Sequence, residues 1–439
     1  MEAMHSKMRN PYVVGRWVRG HNHYGRQRLI DYLLATPDSA TWLVGTRRMG
    51  KTSLLRQIEL VTANGDSPFV PVYWDLQGCR NSGEMAAELA YALEETQQRF
   101  QARGVEVNPG AIEDAADALR MLGRGAARAN VRPLLLIDEA EALIPIAAAE
   151  QAWLAKLRKA LQEGNLRCIV TSTKLLAQLN EMNAGWTTSP FLFGFNLANL
   201  WQLDLEAAHA LIRQEQSPNP VQVEDALAEE ILNHTNGHPY LIQYLCHRLF
   251  VVDDRRRGVL RDLVDDDLNP DQLLSGFFRI DFQYLTRVER RLLLTISGLS
   301  VAKREEIMAA LSDEPPQRVD TFLYGLRKLG YLRRLRERWA VGNEFLRRWL
   351  QDQRAELAAL AEPPVGDAVH EEILRAGRDN ELVYLRYEID ELQAELSRML
   401  AQQPDEQPRF DAATRREIER IRLDLSNARK EVVRIQDGA

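Results

Sequence analysis

The sequence predicts an α/β fold: a parallel sheet flanked by helices, followed by a helical lid, a winged helix and a C-terminal α-helical coiled coil. Three observations predict it. Residues 45–53 read Gly-Thr-Arg-Arg-Met-Gly-Lys-Thr-Ser, between a strand-like run (Thr41 to Val44) and a helical one (Ser53 to Leu60). Leu134 to Ile137 form an apolar run that ends in Asp138 and Glu139, the pattern of a buried parallel strand delivering acids to its C-terminal edge. Beyond residue 367, apolar residues step by 3 and 4, the spacing of a helical seam.

The first stretch fits G-x-x-x-x-G-K-[ST], the phosphate-binding loop of P-loop nucleoside triphosphatases. Gly45 and Gly50 let the backbone turn so that its N–H groups face phosphates. Lys51 supplies a mobile charge for the β- and γ-phosphates, and Thr52 a hydroxyl for Mg²⁺. The following helix adds its free N–H groups and dipole. Asp138 is then expected in the Mg²⁺ shell, and Glu139 beside the attacking water. Arg167 to Thr173 is a further short strand ending in hydroxyls. If it lies between the phosphate-loop strand and the acidic strand, Ser172 or a neighbour reaches the γ-phosphate or the water.

Taken in order, residues 1–40 are a lead-in, with an amphipathic helix from Tyr24 to about Leu34. The core spans 41–217, with strands at 41–44, 69–75, 132–139, 167–173 and 199–203, and helices at about 82–103 and 111–129. Ser217-Pro218-Asn219-Pro220 marks its end. Residues 221–272 read as a helical lid in which His238 and Pro239 open a helix. Residues 276–353 hold helical stretches at about 286–298, 303–311 and 316–329, then a short hairpin at 330–341, the pattern of a winged helix. From Gly276 to Arg354 the chain carries 16 Lys/Arg against 10 Asp/Glu, so the rest stands at −13 of a net −7. Arg318, Arg327, Lys328, Arg333, Arg334, Arg336 and Arg338 give the third helix and wing of the winged helix a basic face, the footprint of a DNA binder. Residues 354–366 are a linker containing Pro363, Pro364 and Gly366. In 367–439, Leu382, Leu385, Ile389, Leu392, Leu396 and Met399 form one seam, and Ile418, Ile421, Leu425, Ala428, Val432 and Ile435 another. Gln402 to Phe410 join them. Seams this short need a partner, either each other or another chain.

Composition excludes several classes. An apolar fraction of 45% with 27% charged residues is that of globular protein. Three scattered cysteines, Cys79, Cys168 and Cys246, make neither a disulfide framework nor a metal site. No apolar run approaches the roughly 20 residues of a membrane span, and Met1 to Asn10 lack a signal-peptide core. A cytoplasmic location and no membrane partner are expected.

On Tyr24-Gly25-Arg26, the 45–53 loop with its Arg47-Arg48 pair, Leu134 to Glu139, Gly237-His238-Pro239 and Gly330-Tyr331-Leu332, residues 12–353 resemble the STAND-type ATPases. These are AAA-related signalling ATPases close to the archaeal ATPase family. The resemblance implies an ASCE sheet, with an extra strand between the phosphate loop and the acidic strand, and a lid and winged helix closing over ATP or ADP with Mg²⁺. It implies that Gly25, Arg26 and Pro239 lie near the base. Gly45, Thr46, Arg47, Arg48, Met49, Gly50, Lys51, Thr52 and Ser53 form the phosphate site. Thr52 and Asp138 hold metal, and Glu139, Lys51 and Ser172 (as sensor 1) serve catalysis. Lys174 stands where many members carry arginine, and Val341-Gly342-Asn343-Glu344 replaces a nucleotide-contacting histidine. The C-terminal helices occupy the place of the family's repeat sensor.

Two functions follow as expectations. The first is a slowly hydrolysing signalling switch that opens and oligomerises under nucleotide control, with a protein partner or a second copy on residues 367–439. The second is a DNA-binding AAA-type ATPase, initiator-like or transposition-like, using its basic winged helix.

Overall fold

In the computed structural model the described residues are 9–37, 39–65, 67–163, 165–182, 191–360, 367–401 and 412–436. The linker prolines Pro363 and Pro364 and the junction from Gln402 to Phe410 lie outside them. Five strands form a parallel sheet: β1 (Ala40–Val44), β2 (Phe69–Asp75), β3 (Arg132–Asp138), β4 (Arg167–Ser172) and β5 (Asn196–Asn199), in the order β2-β3-β4-β1-β5. This is the P-loop NTPase fold, with β4 inserted between the acidic strand β3 and the phosphate-loop strand β1. Register carries both ends to one edge, since Val44 pairs with Ser172, Ile137 with Val170 and Asp75 with Asp138.

Strand side chains alternate between faces, and both faces are buried. Trp42, Val72, Ile137 and Val170 belong to one core; Leu43, Leu136 and Ile169 belong to the other. The second face is covered by α1 (Gln27–Ala35) and α2 (Lys51–Thr62). The first is covered by α3 (Ser82–Gln101), α4 (Ala115–Arg128), α5 (Leu143–Ala149), α6 (Gln151–Glu163) and α7 (Gln178–Met182). The α3 and α4 starts are fixed by Asn81 and Asp114, whose side chains accept from Glu84 N and Asp117 N. The expected strand at 199–203 is displaced: β5 ends at Asn199, because Leu200 N donates to Val44 O and Leu203 N to Gly237 O.

A second core gathers α8 (Leu205–Arg213), α9 (Asp225–Thr235), α10 (Pro239–Leu249) and a small hairpin of β6 (Phe250–Val252) and β7 (Gly258–Leu260). Tyr12 and Tyr24 of the lead-in are buried in it. After α11 (Gln272–Gln283), a third core joins α12 (Arg287–Leu299), α13 (Arg304–Ala310), α14 (Pro316–Lys328), α15 (Glu344–Asp352) and α16 (Arg354–Ala358). Here β8 (Val301–Lys303), β9 (Leu332–Leu335) and β10 (Arg338–Val341) form an antiparallel sheet in the order β8-β10-β9. The three-residue β8 has no hydrophobic alternation to announce it.

Two long helices, α17 (Asp367–Ala401) and α18 (Ala412–Gln436), end the described chain. Leu392, Ile421 and Leu425 bury one another, flanked by Ile389, Leu396 and Met399, so the two seams meet. They run antiparallel, because Arg378 near the α17 start donates to Ile435 O near the α18 end. The hairpin also lies along the rest of the molecule. Tyr384 and Tyr387 pack on Tyr32 at ring distances of 5.2 and 5.5 Å, and Arg28 reaches Glu388 and Asp424 at 3.2 and 3.5 Å. No helix among the described residues is long and apolar enough to cross a membrane.

Candidate nucleotide site

A cavity of about 880 Å³ opens at the C-terminal edge of the sheet, where ligands of open α/β folds bind. Its floor is the loop before α2. Gly50, at φ +95°, turns the chain into the helix, a conformation in which a side chain is strained. Lys51 is buried, its ammonium donating to the carbonyls of Gly45 and Thr46 at 3.2 Å each. Arg47, Arg48, Met49, Gly50, Lys51, Thr52 and Ser53 line the cavity, as do Asp138, Glu139, Arg26 and Pro239.

Asp138 is 2% exposed, and its two oxygens accept from Thr171 Oγ1 and Tyr73 Oη, the latter at 2.9 Å. Those bonds fix the carboxylate at the strand end. Glu139 sits in the left-handed region (φ +52°) and donates its N–H to Asp138 Oδ1. Burial, reinforced by Glu141, pushes the Glu139 carboxyl above its ordinary range, although Lys51 pulls the other way. A carboxylate with raised affinity for a proton suits general-base work near neutrality. Asp75, also in the wall, is raised by burial too.

Several predicted residues are placed differently. Ser172 is fully buried and turned from the cavity; its hydroxyl accepts from Trp42 Nε1 at 2.6 Å and donates to Thr173 O at 2.8 Å. Thr173 lines the cavity instead. The reason is strand alternation: a one-residue step exchanges the faces. Gly25 is outside the wall, so close to α8 that a Cβ would stand 2.5 Å from that of Ala207. Gly45 and Thr46 lie behind the loop, in a smaller crevice shared with Lys174, Asp281 and Tyr331. Arg26 ties two carbonyls, Met49 O at 2.9 Å and Trp201 O at 3.0 Å. The Ser53 hydroxyl accepts from Val18 N at 3.1 Å.

The two loop arginines reach across the mouth. Arg48 lies 4.0 Å from the Phe277 ring centre and 4.9 Å from that of Tyr240, while Arg47 faces Asp281 at 3.4 Å. Burial raises Asp281 to about 6 against the pull of Arg47, Lys51 and Lys174. The loop is thereby clamped to α10 and α11.

Lys174 does not enter the cavity. It is buried against Glu289 of α12, and Glu289 also bonds His370 of α17 at 3.0 Å. Burial alone would raise Glu289, but Lys174 and His370 outweigh it and hold the carboxyl far below its usual range.

Sequence reasoning missed Trp17, Tyr73, Asp75, Arg56, Tyr240 and Phe277, all in the wall. Trp17 comes from the lead-in, pinned across α2 by the Val18–Ser53 bond and by Gly20 N to Gln57 Oε1 at 2.7 Å. No motif marks these residues. The only signal was that Tyr73 and Asp75 end a strand whose neighbour is the acidic one.

Residues 35–179 match the family model of the AAA domain. No curated protein matches the sequence. Among solved structures, a Walker-type ATPase of Pyrococcus abyssi (Paby2304) is 16% identical over 77% of this chain and 99% of its own, with a TM-score of 0.54. The ORC2 protein of Aeropyrum pernix, in its ADPNP–ADP complexes, is 14% identical over 76% of this chain and 96% of its own, TM-score 0.42. The ORC1 protein of the same organism, in complex with DNA, gives 15%, 76%, 93% and 0.35. At 16% identity the likeness to the first of these concerns the fold alone.

Proposed function

We propose that the chain is an ATPase that binds duplex DNA, with residues 276–353 acting as a winged helix under the control of the nucleotide site. One observation carries the ATPase part: Lys51, Thr52, Asp138 and Glu139 converge on a single cavity of nucleotide size, at the sheet edge and a helix N-terminus. The backbone from Arg47 to Thr52 and the Lys51 ammonium would cradle phosphates. Thr52 and Asp138 would hold Mg²⁺, which neutralises phosphate charge when bound. Glu139 would orient water and take its proton on a carboxylate oxygen. Thr173, rather than Ser172, is the β4-end hydroxyl within reach of that chemistry. Arg48 against Tyr240 and Phe277 supports nucleotide-dependent closure of the lid and of α11.

The DNA part rests on the order helix, strand, two helices and two-stranded wing. Basic residues lie along the second of the paired helices, α14, and the exposed wing residues Arg334, Arg336 and Arg338 extend the surface. The test is binding of a short duplex at low salt by the full chain and by Arg334→Glu/Arg336→Glu/Arg338→Glu. A loss of affinity of about tenfold or more in the variant, with a shallower salt dependence, is expected. Equal affinity of both proteins would remove the wing from the interface.

A second reading is a STAND-type signalling switch that opens and oligomerises. It is favoured by the closed packing: the phosphate loop clamped to α11, and α17 docked along the core. Mass measurement with and without ATP and Mg²⁺ separates the two, since the switch requires nucleotide-dependent assembly without DNA. Slow, regulatory hydrolysis belongs to this second reading.

A further inference from the structure

The basic face of α14 is already occupied. Arg318 pairs with Glu371 at 3.0 Å, Lys328 with Glu381 and with Glu431, and Arg327 with Glu431. Tyr324 donates to Glu381 as well. Three of the helix's cations and a tyrosine thus face three carboxylates drawn from α17 and α18. Glu381 is 4% exposed and Lys328 13%, so that pair is sealed, while Arg318 keeps 34% of its side chain in solvent. Packing is equally close: a Cβ on Gly325 would fall 2.5 Å from a Leu374 methyl, so α17 seats directly on the α14 backbone. Arg334, Arg336 and Arg338 of the wing stay exposed.

We infer that the C-terminal hairpin is an intramolecular competitor for a nucleic-acid backbone: its carboxylates hold the α14 cations that phosphates would otherwise neutralise. This rests on the DNA-binding reading and adds its regulation. The two occupants exclude each other. Both need Arg318, Arg327 and Lys328, and with a Leu374 methyl of α17 2.5 Å from where a Cβ of Gly325 would stand, this part of α14 has no room for a groove wall. The free protein therefore touches DNA with its wing alone, and full engagement requires the hairpin to lift.

The experiment uses the full chain and a random-sequence duplex of about 30 base pairs, read by fluorescence anisotropy across a salt series. Glu371→Gln/Glu381→Gln/Glu431→Gln removes the competing charges while keeping size and hydrogen-bonding capacity. Tighter binding by about tenfold or more is expected, with a salt slope steeper by up to about three, one for each cation released to phosphate. Gly325→Cys/Leu374→Cys supplies the opposite arm. Leu374→Cys removes the methyls that would collide with a Cβ at 325, and leaves two sulfurs within bridging range. The oxidised protein should keep only weak binding through the wing, and reduction should restore the rest.

Equal, measurable DNA affinity in wild type, triple variant and both redox forms of the lock overturns the masking while leaving the DNA reading intact. Absence of binding in every form at low salt, with hydrogen exchange reporting residues 367–401 released in the triple variant, overturns the DNA reading itself.

Discussion

Thr171, Ser172 and Thr173 divide three tasks by the direction each side chain takes. Thr171 holds Asp138, Ser172 holds the Trp42 indole, and Thr173 borders the cavity. Ser172→Ala should therefore lower stability by about 1–3 kcal/mol, the cost of an orphaned buried N–H, with hydrolysis unchanged. Thr173→Ala should slow hydrolysis, with about 1 kcal/mol of stability lost because its hydroxyl also accepts from Leu175 N at 3.4 Å. Denaturant titration beside a turnover assay distinguishes them, and the reverse pattern would restore Ser172 as the sensor. Lys51→Ala should lose nucleotide affinity, while Glu139→Gln should bind ATP and retain it; calorimetry and single-turnover hydrolysis report these. The raised Glu139 carboxyl adds a pH signature. Its ionised form is the base, so the rate should rise with pH through a midpoint above the ordinary carboxylate range. That limb should vanish in Glu139→Gln.

Among the elements, α12 shows how one residue serves a local and a tertiary need together. Thr286-x-x-Glu289 is a capping box: Glu289 N donates to Thr286 Oγ1, and Glu289 accepts from Thr286 N at 2.8 Å. The same fully buried carboxylate meets Lys174 from the end of β4 and His370 from α17. Removing one member leaves a buried charge alone, so Glu289→Ala should cost about 3–5 kcal/mol, whereas Lys174→Met/Glu289→Met should cost much less. Chemical denaturation measures both. Burial, then the Lys174 charge, lowers the pKa of His370 against the pull of Glu289 and Asp367. With a depressed folded pKa, the unfolded chain takes up the proton first, so the contribution is complete above about 6.5 and is lost as pH falls below it. The stability margin of wild type over His370→Gln should thus shrink on acidification from pH 7. Asp281, whose raised pKa works in the opposite sense, is common to both proteins and cancels.

At the scale of the whole molecule, the hairpin straps three cores together. Arg28 to Glu388 and Asp424 and Arg420 to Glu206 tie it to α1 and α8, while the α14 pairs tie it to the third core. The ties to Arg28 and Arg420 are partly exposed and weaken with salt, whereas the sheet core is apolar. Raising ionic strength to about 0.5 M should accelerate amide exchange in 367–401 and 412–436 ahead of β1 to β4, because screening at that strength reaches only a few ångströms. Uniform protection of hairpin and sheet at all salt concentrations would count against a releasable strap.

The sequence by itself determined the P-loop sheet fold, because its signals are local. Phosphate binding needs glycines and a lysine at fixed spacing ahead of a helix, and a buried parallel strand must be apolar until its end. The two seams of α17 and α18 were legible for the same reason, since a 3–4 step is a property of a few turns; that they meet each other came from the structure. Only the tertiary structure decided which of three adjacent hydroxyls faces the cavity, because a strand reverses direction at every residue and its neighbours choose the sense. It also decided that Arg47 and Arg48 clamp α11 and α10, that Lys174 belongs to a buried triad, and that the α14 cations are spoken for. Each of those pairings joins residues far apart in the chain, and a charge read in sequence is silent about the charge that will fold against it.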